Sequence, residues 1–130
     1  MILDTTFIID LMDGNIDALK KQQELQTNNE NVQITTITIF ELFSGVGRCS
    51  QPEKEKQKLK AILESQHLLV LDEECAEKAG IIHGTLQKEG QAIEIQDCLI
   101  AGIALHHNET LLTRNIKHFQ RIKRLKVETY

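Results

Sequence analysis

Apolar residues along this chain fall into short clusters with two kinds of spacing. Ile2-Leu3 is an apolar pair closed by Asp4, and residues 5–12 (TTFIIDLM) can form a helix that stops at Asp13-Gly14-Asn15. In residues 16–28, Ile16, Leu19 and Leu25 recur among polar positions and predict a second helix. Residues 32–36 are alternating and β-branched, which predicts a strand, and residues 38–46 follow as a helix. Pro52 opens a Lys/Glu-rich helix over 51–66, whose charges form a solvated face. A strand is expected over 67–71, a helix over 73–90 and an apolar helix over 95–107. In that last helix the small residues Ala101, Gly102 and Ala104 would permit close packing on a sheet. Strands over 110–113 and 126–129 complete the set.

The order β-α-α-β-α-α-β-α-α-β-β predicts an α/β fold: a mostly parallel sheet with helices on both faces and right-handed crossovers. No repeat or linker interrupts it, so residues 1–130 are expected to form a single domain. Composition agrees: 41% of residues are apolar and 26% charged, enough for a core and too apolar for a disordered chain. The net charge of −4 excludes a protein that coats nucleic acid indiscriminately, and 4% aromatic content disfavours base-stacking platforms. The three cysteines, Cys49, Cys75 and Cys98, form no C-x-x-C pair, and the adjacent His106 and His107 should diverge on a helix. Neither a disulfide framework nor a His/Cys zinc site is expected, and a reducing cytoplasm fits best. The N-terminus lacks a basic region before its apolar stretch, and no apolar run approaches the ~20 residues of a membrane span, so no membrane association is expected.

In a parallel sheet the carboxyl ends of all strands share one edge, where ligand sites of open α/β sheets lie. Four polar residues are predicted there. Asp4 ends the first strand and could be a helix N-cap; Glu41 completes a Thr38-x-x-Glu41 capping-box pattern. Asp97 opens an apolar helix and could complement its dipole; Asn115 follows the TLLT strand and could be a turn residue. Each structural reading suffices alone, but together they place three carboxylates on one edge. Two carboxylates about 5 Å apart repel by roughly 3 kcal/mol at an effective dielectric near 20. Such a cluster suits a hard divalent cation such as Mg²⁺ or Mn²⁺.

The segments MILDTTFIID, TITIFELFSG, IQDCLIAGIA and LLTRNIKHF, in that order, resemble the successive motifs of PIN-domain nucleases. The length and spacing are most similar to the VapC toxins of type II toxin–antitoxin pairs, over residues 1–122. The resemblance implies a three-layer α/β/α sandwich and metal-dependent endoribonuclease activity, in which a metal-activated water hydrolyses the RNA phosphodiester. Asp4, Glu41 and Asp97 would be the acidic ligands of Mg²⁺ (or Mn²⁺). Asn115 stands in the T-x-[DN] motif where a further acid is frequent, which removes one negative charge. Thr6 and Thr113 would support the metal site, while His118, where many relatives carry Asp, reads as an exposed or turn histidine. The resemblance further implies an RNA substrate, a cognate antitoxin protein, a homodimer, and DNA contact only through the antitoxin.

Basic residues concentrate after Thr113, among them Arg114, Lys117 and Arg121, with Arg48 as an extension, and such a margin could hold RNA phosphates. Other classes fit less well. A haloacid-dehalogenase-type phosphatase would need an acid at Thr6, and a receiver domain would need paired acids at Thr5 and Thr6. A catalytically quiet PIN domain that binds RNA or protein is the alternative left open by Asn115.

Overall fold

The computed structural model describes residues 1–130. Five strands, β1 (Ile2–Leu3), β2 (Gln33–Thr35), β3 (His67–Leu69), β4 (Thr110–Leu112) and β5 (Lys126–Glu128), form one sheet in the order β3-β2-β1-β4-β5. All four pairings are parallel, with Ile2 opposite both Gln33 and Leu111. The chain starts in the middle, moves outward through β2 and β3, then returns to build β4 and β5 on the other side. The reversal leaves a crevice between the carboxyl ends of β1 and β4, the switch point where open α/β sheets bind ligands.

Alternation along the strands separates two cores. Ile2 and Leu111 face a cluster that includes Cys75, Leu86, Ile100, Ile103 and Phe119, supplied by α5 (Glu73–Lys88), α6 (Ile95–His107) and α7 (Ile116–Phe119). Leu3 and Leu112 face the opposite cluster of Phe7, Ile8, Ala18, Leu25, Leu42 and Leu59. These come from α1 (Thr5–Met12), α2 (Ile16–Thr27), α3 (Thr36–Arg48) and α4 (Pro52–Leu63). The result is the expected three-layer sandwich. Gly14, at φ 72°, follows α1 and reverses the chain in a conformation open to glycine.

Three details differ from the sequence reading. α7 has only four residues, too few to show a period, and was not anticipated. α3 begins at Thr36, and its N-cap is Thr35, whose hydroxyl accepts from the Thr38 amide at 3.0 Å. Thr38 and Glu41 therefore do not form a capping box. Finally, Gly102 makes its close approach to a helix, not to the sheet. A Cβ there would sit 2.6 Å from the Cys75 carbonyl oxygen and 2.7 Å from the Ala79 Cβ of α5.

That contact locks α6 against α5 and so fixes the direction of α6, which carries Asp97 in its first turn. Gly102→Ala is expected to destabilise the protein by about 1–3 kcal/mol, as overpacking does, although alanine is the better helix former. Urea unfolding checks this, and an unchanged or higher midpoint would contradict the tight contact.

Candidate active site

At the switch point lies a cleft of about 280 Å³ lined by Asp4, Thr5, Thr6, Glu41, Glu94, Gln96, Asp97, Asn115 and His118, with no hydrophobic residue among them. Asp4, Glu41, Asp97 and Asn115 thus meet in one place, each from a different connection. Asp4 and Asn115 stand at N-cap positions, Asp97 in the first turn of α6 and Glu41 in the second turn of α3, yet none behaves as a helix cap. Asp4 is at the N-cap position of α1 and Asn115 at that of α7, and neither side chain makes a cap hydrogen bond. Glu94, not Asp97, occupies the N-cap position of α6. Elsewhere Asn15, Thr35 and Asp72 do cap their helices. In the cleft, Asp4 turns instead to the hydroxyls of Thr6 and Thr113, and Asn115 to Asp97.

Asp4 is held most firmly. Its side chain is buried, and its Oδ2 accepts from the hydroxyls of Thr6 at 2.9 Å and Thr113 at 2.7 Å. Thr113 also accepts from the Asn115 amide at 2.9 Å, which ties β4 to the start of α7. Buried carboxylates require such partners. Glu41, half-buried, accepts from the Thr5 hydroxyl through Oε2. Burial raises the Glu41 carboxyl above its ordinary value; the Thr5 hydrogen bond opposes this, and the charges of Asp4 and Asp97 add to it. Asp97 is raised for the same first reason, burial, opposed by its hydrogen bond to His118 and reinforced by Asp4. The cleft therefore stores unfavourable negative charge that a cation would relieve.

The donor set fits a hard divalent ion: the carboxylates of Asp4, Glu41 and Asp97, with Glu94 beside them, and the oxygens of hydroxyls and amides, in a wholly polar cleft. No three of the acidic side chains bring oxygens within 4.8 Å of one another.

His118 was read from the sequence as an exposed or turn histidine, and the structure corrects this. Its Nδ1 lies 2.7 Å from Asp97 Oδ2 and 2.8 Å from Asn115 Nδ2. One ring nitrogen cannot both donate and accept. The carboxylate is the stronger partner, so Nδ1–H donates to Asp97. Asn115 Nδ2 approaches the same carboxylate oxygen at 3.4 Å. Thr5, Glu94 and Gln96 are further cleft residues that sequence reasoning did not single out. His118 lies three residues after Asn115, one helical turn away, and that spacing was the available signal.

The basic candidates lie outside the cleft lining. Arg114 is exposed but engaged: Nη1 donates to the buried Asp10 carboxylate at 2.8–2.9 Å, where the Tyr130 hydroxyl also donates at 2.8 Å. Burial, with the Asp10 hydrogen bond, pushes Tyr130 up to about 12. Arg121 rests on the carbonyls of Gln91 and Ala92 at 3.4 and 3.3 Å. Lys117 is exposed, between Asn115 and His118 in sequence. Arg48 donates to Ser44 at 2.8 Å on the surface.

All three cysteines are free, as expected. The two neighbouring histidines correct a second expectation. His106 and His107 do not diverge: a ring nitrogen of each lies with Cys75 Sγ in a group whose atoms are all within 4.8 Å. No helix is long and apolar enough to cross a membrane.

A parallel sandwich with carboxylates gathered at its switch point defines a class, and residues 1–125 match the PIN domain. The chain belongs to that family. Within it the similarity is to the VapC proteins. Ribonuclease VapC2 of Rickettsia felis is 30% identical over 129 residues, spanning 99% of this chain and 96% of that protein. The crystal structure of VapBC2 from Rickettsia felis, bound to a DNA fragment from the promoter, superposes with a TM-score of 0.89 and 29% identity. The match covers 99% of this chain and 97% of that one. VapBC-1 from nontypeable Haemophilus influenzae superposes with a TM-score of 0.83 and 28% identity, over 98% of this chain and 96% of that one.

The raised Glu41 has a consequence for stability. Below the ordinary carboxylate value of 4.5, folded and unfolded chains both hold the proton. As pH rises past it the unfolded chain ionises first, so stability falls through the window up to the raised folded value and stays lower above it. Glu41→Gln keeps an oxygen acceptor for Thr5 and removes the charge. It is expected to raise the unfolding midpoint of the metal-free protein at neutral pH and to leave it unchanged well below the window. Thermal melts at the two pH values check this; a variant less stable at neutral pH contradicts it.

Proposed function

We propose that this protein is a divalent-cation-dependent endoribonuclease and the toxin of a toxin–antitoxin pair. The observation that carries the reading is the cleft itself: the carboxylates of Asp4, Glu41 and Asp97, brought by three separate segments and none serving as a helix cap, meet with Glu94 beside them in a site without an apolar side chain. In this reading Asp4, Glu41 and Asp97 hold Mg²⁺ or Mn²⁺. When bound, such a cation lowers the pKa of a coordinated water and polarises a phosphodiester.

The chain's own residues do the positioning. Thr6 and Thr113 fix the Asp4 carboxylate at the end of β1. His118 and Asn115 orient Asp97, and Asn115 brings no charge at the position where a further acid is frequent in the family. Thr5 sets the rotamer of Glu41. Lys117 is the free cation closest in sequence to the cleft residues and is assigned to substrate phosphate, with Arg114 and Arg121 lending positive potential from fixed positions. Because Arg114 is anchored by Asp10, its substitution mixes binding with stability, and Lys117 is the cleaner probe.

The partner assignment follows from the relatives, which are found in VapBC complexes. A cognate antitoxin would cover the cleft, and DNA contact would belong to the complex. A homodimer would use the exposed Ile9 and Phe40 on α1 and α3.

Purified protein is expected to cleave RNA with Mg²⁺ or Mn²⁺ and to stop in EDTA. Asp97→Asn is expected to lower the rate by about a hundredfold or more. Full activity in EDTA or in Asp97→Asn overturns the assignment. Lys117→Glu should weaken RNA binding and flatten its salt dependence, as loss of one phosphate contact does; affinity unchanged across a salt series would remove Lys117 from the substrate path.

A further inference from the structure

We infer that Cys75, His106 and His107 form a second metal site, for a Zn²⁺-class cation, that clamps the start of α5 to the end of α6. Cys75 Sγ and a ring nitrogen of each histidine all lie within 4.8 Å of one another. Cys75 is buried, His106 half-buried and His107 exposed, so the site is anchored in the core and open to solvent on one side. Glu74 Oε2 stands 3.3 Å from His106 Nδ1, on the exposed side and outside the three-residue group, which leaves the fourth position to water. Asp72 is already used: its carboxylate caps α5 by accepting from the Cys75 amide at 2.9 Å.

The donor chemistry is opposite to that of the acidic cleft. One sulfur and two imidazoles prefer a borderline or soft ion in tetrahedral geometry over Mg²⁺. The frame is rigid, because Gly102 brings α6 onto the Cys75 backbone one turn before His106. A plain His106–Glu74 ion pair would explain neither the convergence of His107 nor that of the thiol. The ring planes of the two histidines are near perpendicular, at 89°, with centroids 4.8 Å apart, so they are edge-on and not stacked. Burial pushes the Cys75 thiol up to about 11, so it is no nucleophile at neutral pH, and a bound cation would displace its proton. Asp97 lies nine residues before His106 on α6, or about 14 Å along the axis, which separates the two sites.

The test is a Co²⁺ titration of the reduced, full-length protein followed by absorbance, then displacement with Zn²⁺. One equivalent of Co²⁺ is expected to produce a thiolate charge-transfer band with the visible intensity of tetrahedral cobalt, and Zn²⁺ should abolish both. Cys75→Ser should lose the charge-transfer band. The double variant His106→Gln, His107→Gln, which leaves the core untouched, should bind Co²⁺ at least tenfold more weakly. Asp97→Asn should leave the spectrum as in the unaltered protein. No thiolate band, a band that survives either the Cys75 or the double histidine change, or a band lost in Asp97→Asn overturns the proposal.

Discussion

Burial of the Asp4 carboxylate between β1 and β4 is the constraint on which the rest of the site depends. A charge taken out of water at that point needs hydrogen bonds, and Thr6 in the first turn of α1 and Thr113 at the end of β4 supply them. This requires β4 to lie beside β1 in register, which the Ile2–Leu111 and Leu3–Leu112 pairs provide. Asn115 and His118 then follow from Thr113 through one short turn, and both reach Asp97. Sheet register, two hydroxyls and one short helix thus bring together groups from opposite ends of the chain.

The same arrangement sets stability against function. Asp97 and Glu41 are raised by burial and by their neighbours, so the ion-free cleft is a place of stored repulsion. The surrounding fold absorbs it. Two cores, one on each face of the sheet, and the close α5–α6 contact at Gly102 hold the helix starts where repulsion alone would spread them. Selection for a strained acidic site and for a tightly packed frame are then two sides of one requirement.

Most of the fold was legible in the sequence because its elements carry their own signals. The β-branched run near Ile34, Pro52 at a helix start and the Asp13-Gly14-Asn15 stop each have a local mechanism. The acidic residues were legible by position, since strand ends in a parallel sheet share an edge. What escaped depends on geometry that spacing does not encode. α7 is too short to have a period, so His118 looked like a surface residue. The Thr38–Glu41 pattern matched a capping box, but the helix starts at Thr36 and Thr35 does the capping. Gly102 announced a close approach without saying to what. Spacing on an ideal helix makes His106 and His107 diverge, whereas rotation of their side chains brings a ring nitrogen of each near Cys75 Sγ. The arginines show the reverse case: Arg114 was read as a free cation, and only the structure reveals its bond to Asp10.

The central place of β1 also governs when the site can exist. The hydrogen bond between Asp4 and Thr113 spans 109 positions, and contacts of such long range close late because the loop entropy must be overcome first. During synthesis Asp4 is made 109 positions before the hydroxyl that completes its shell. A nascent chain lacking β4 has the acids but no cleft to hold them, so a harmful hydrolytic activity would be withheld until β4 and Thr113 are available to fold.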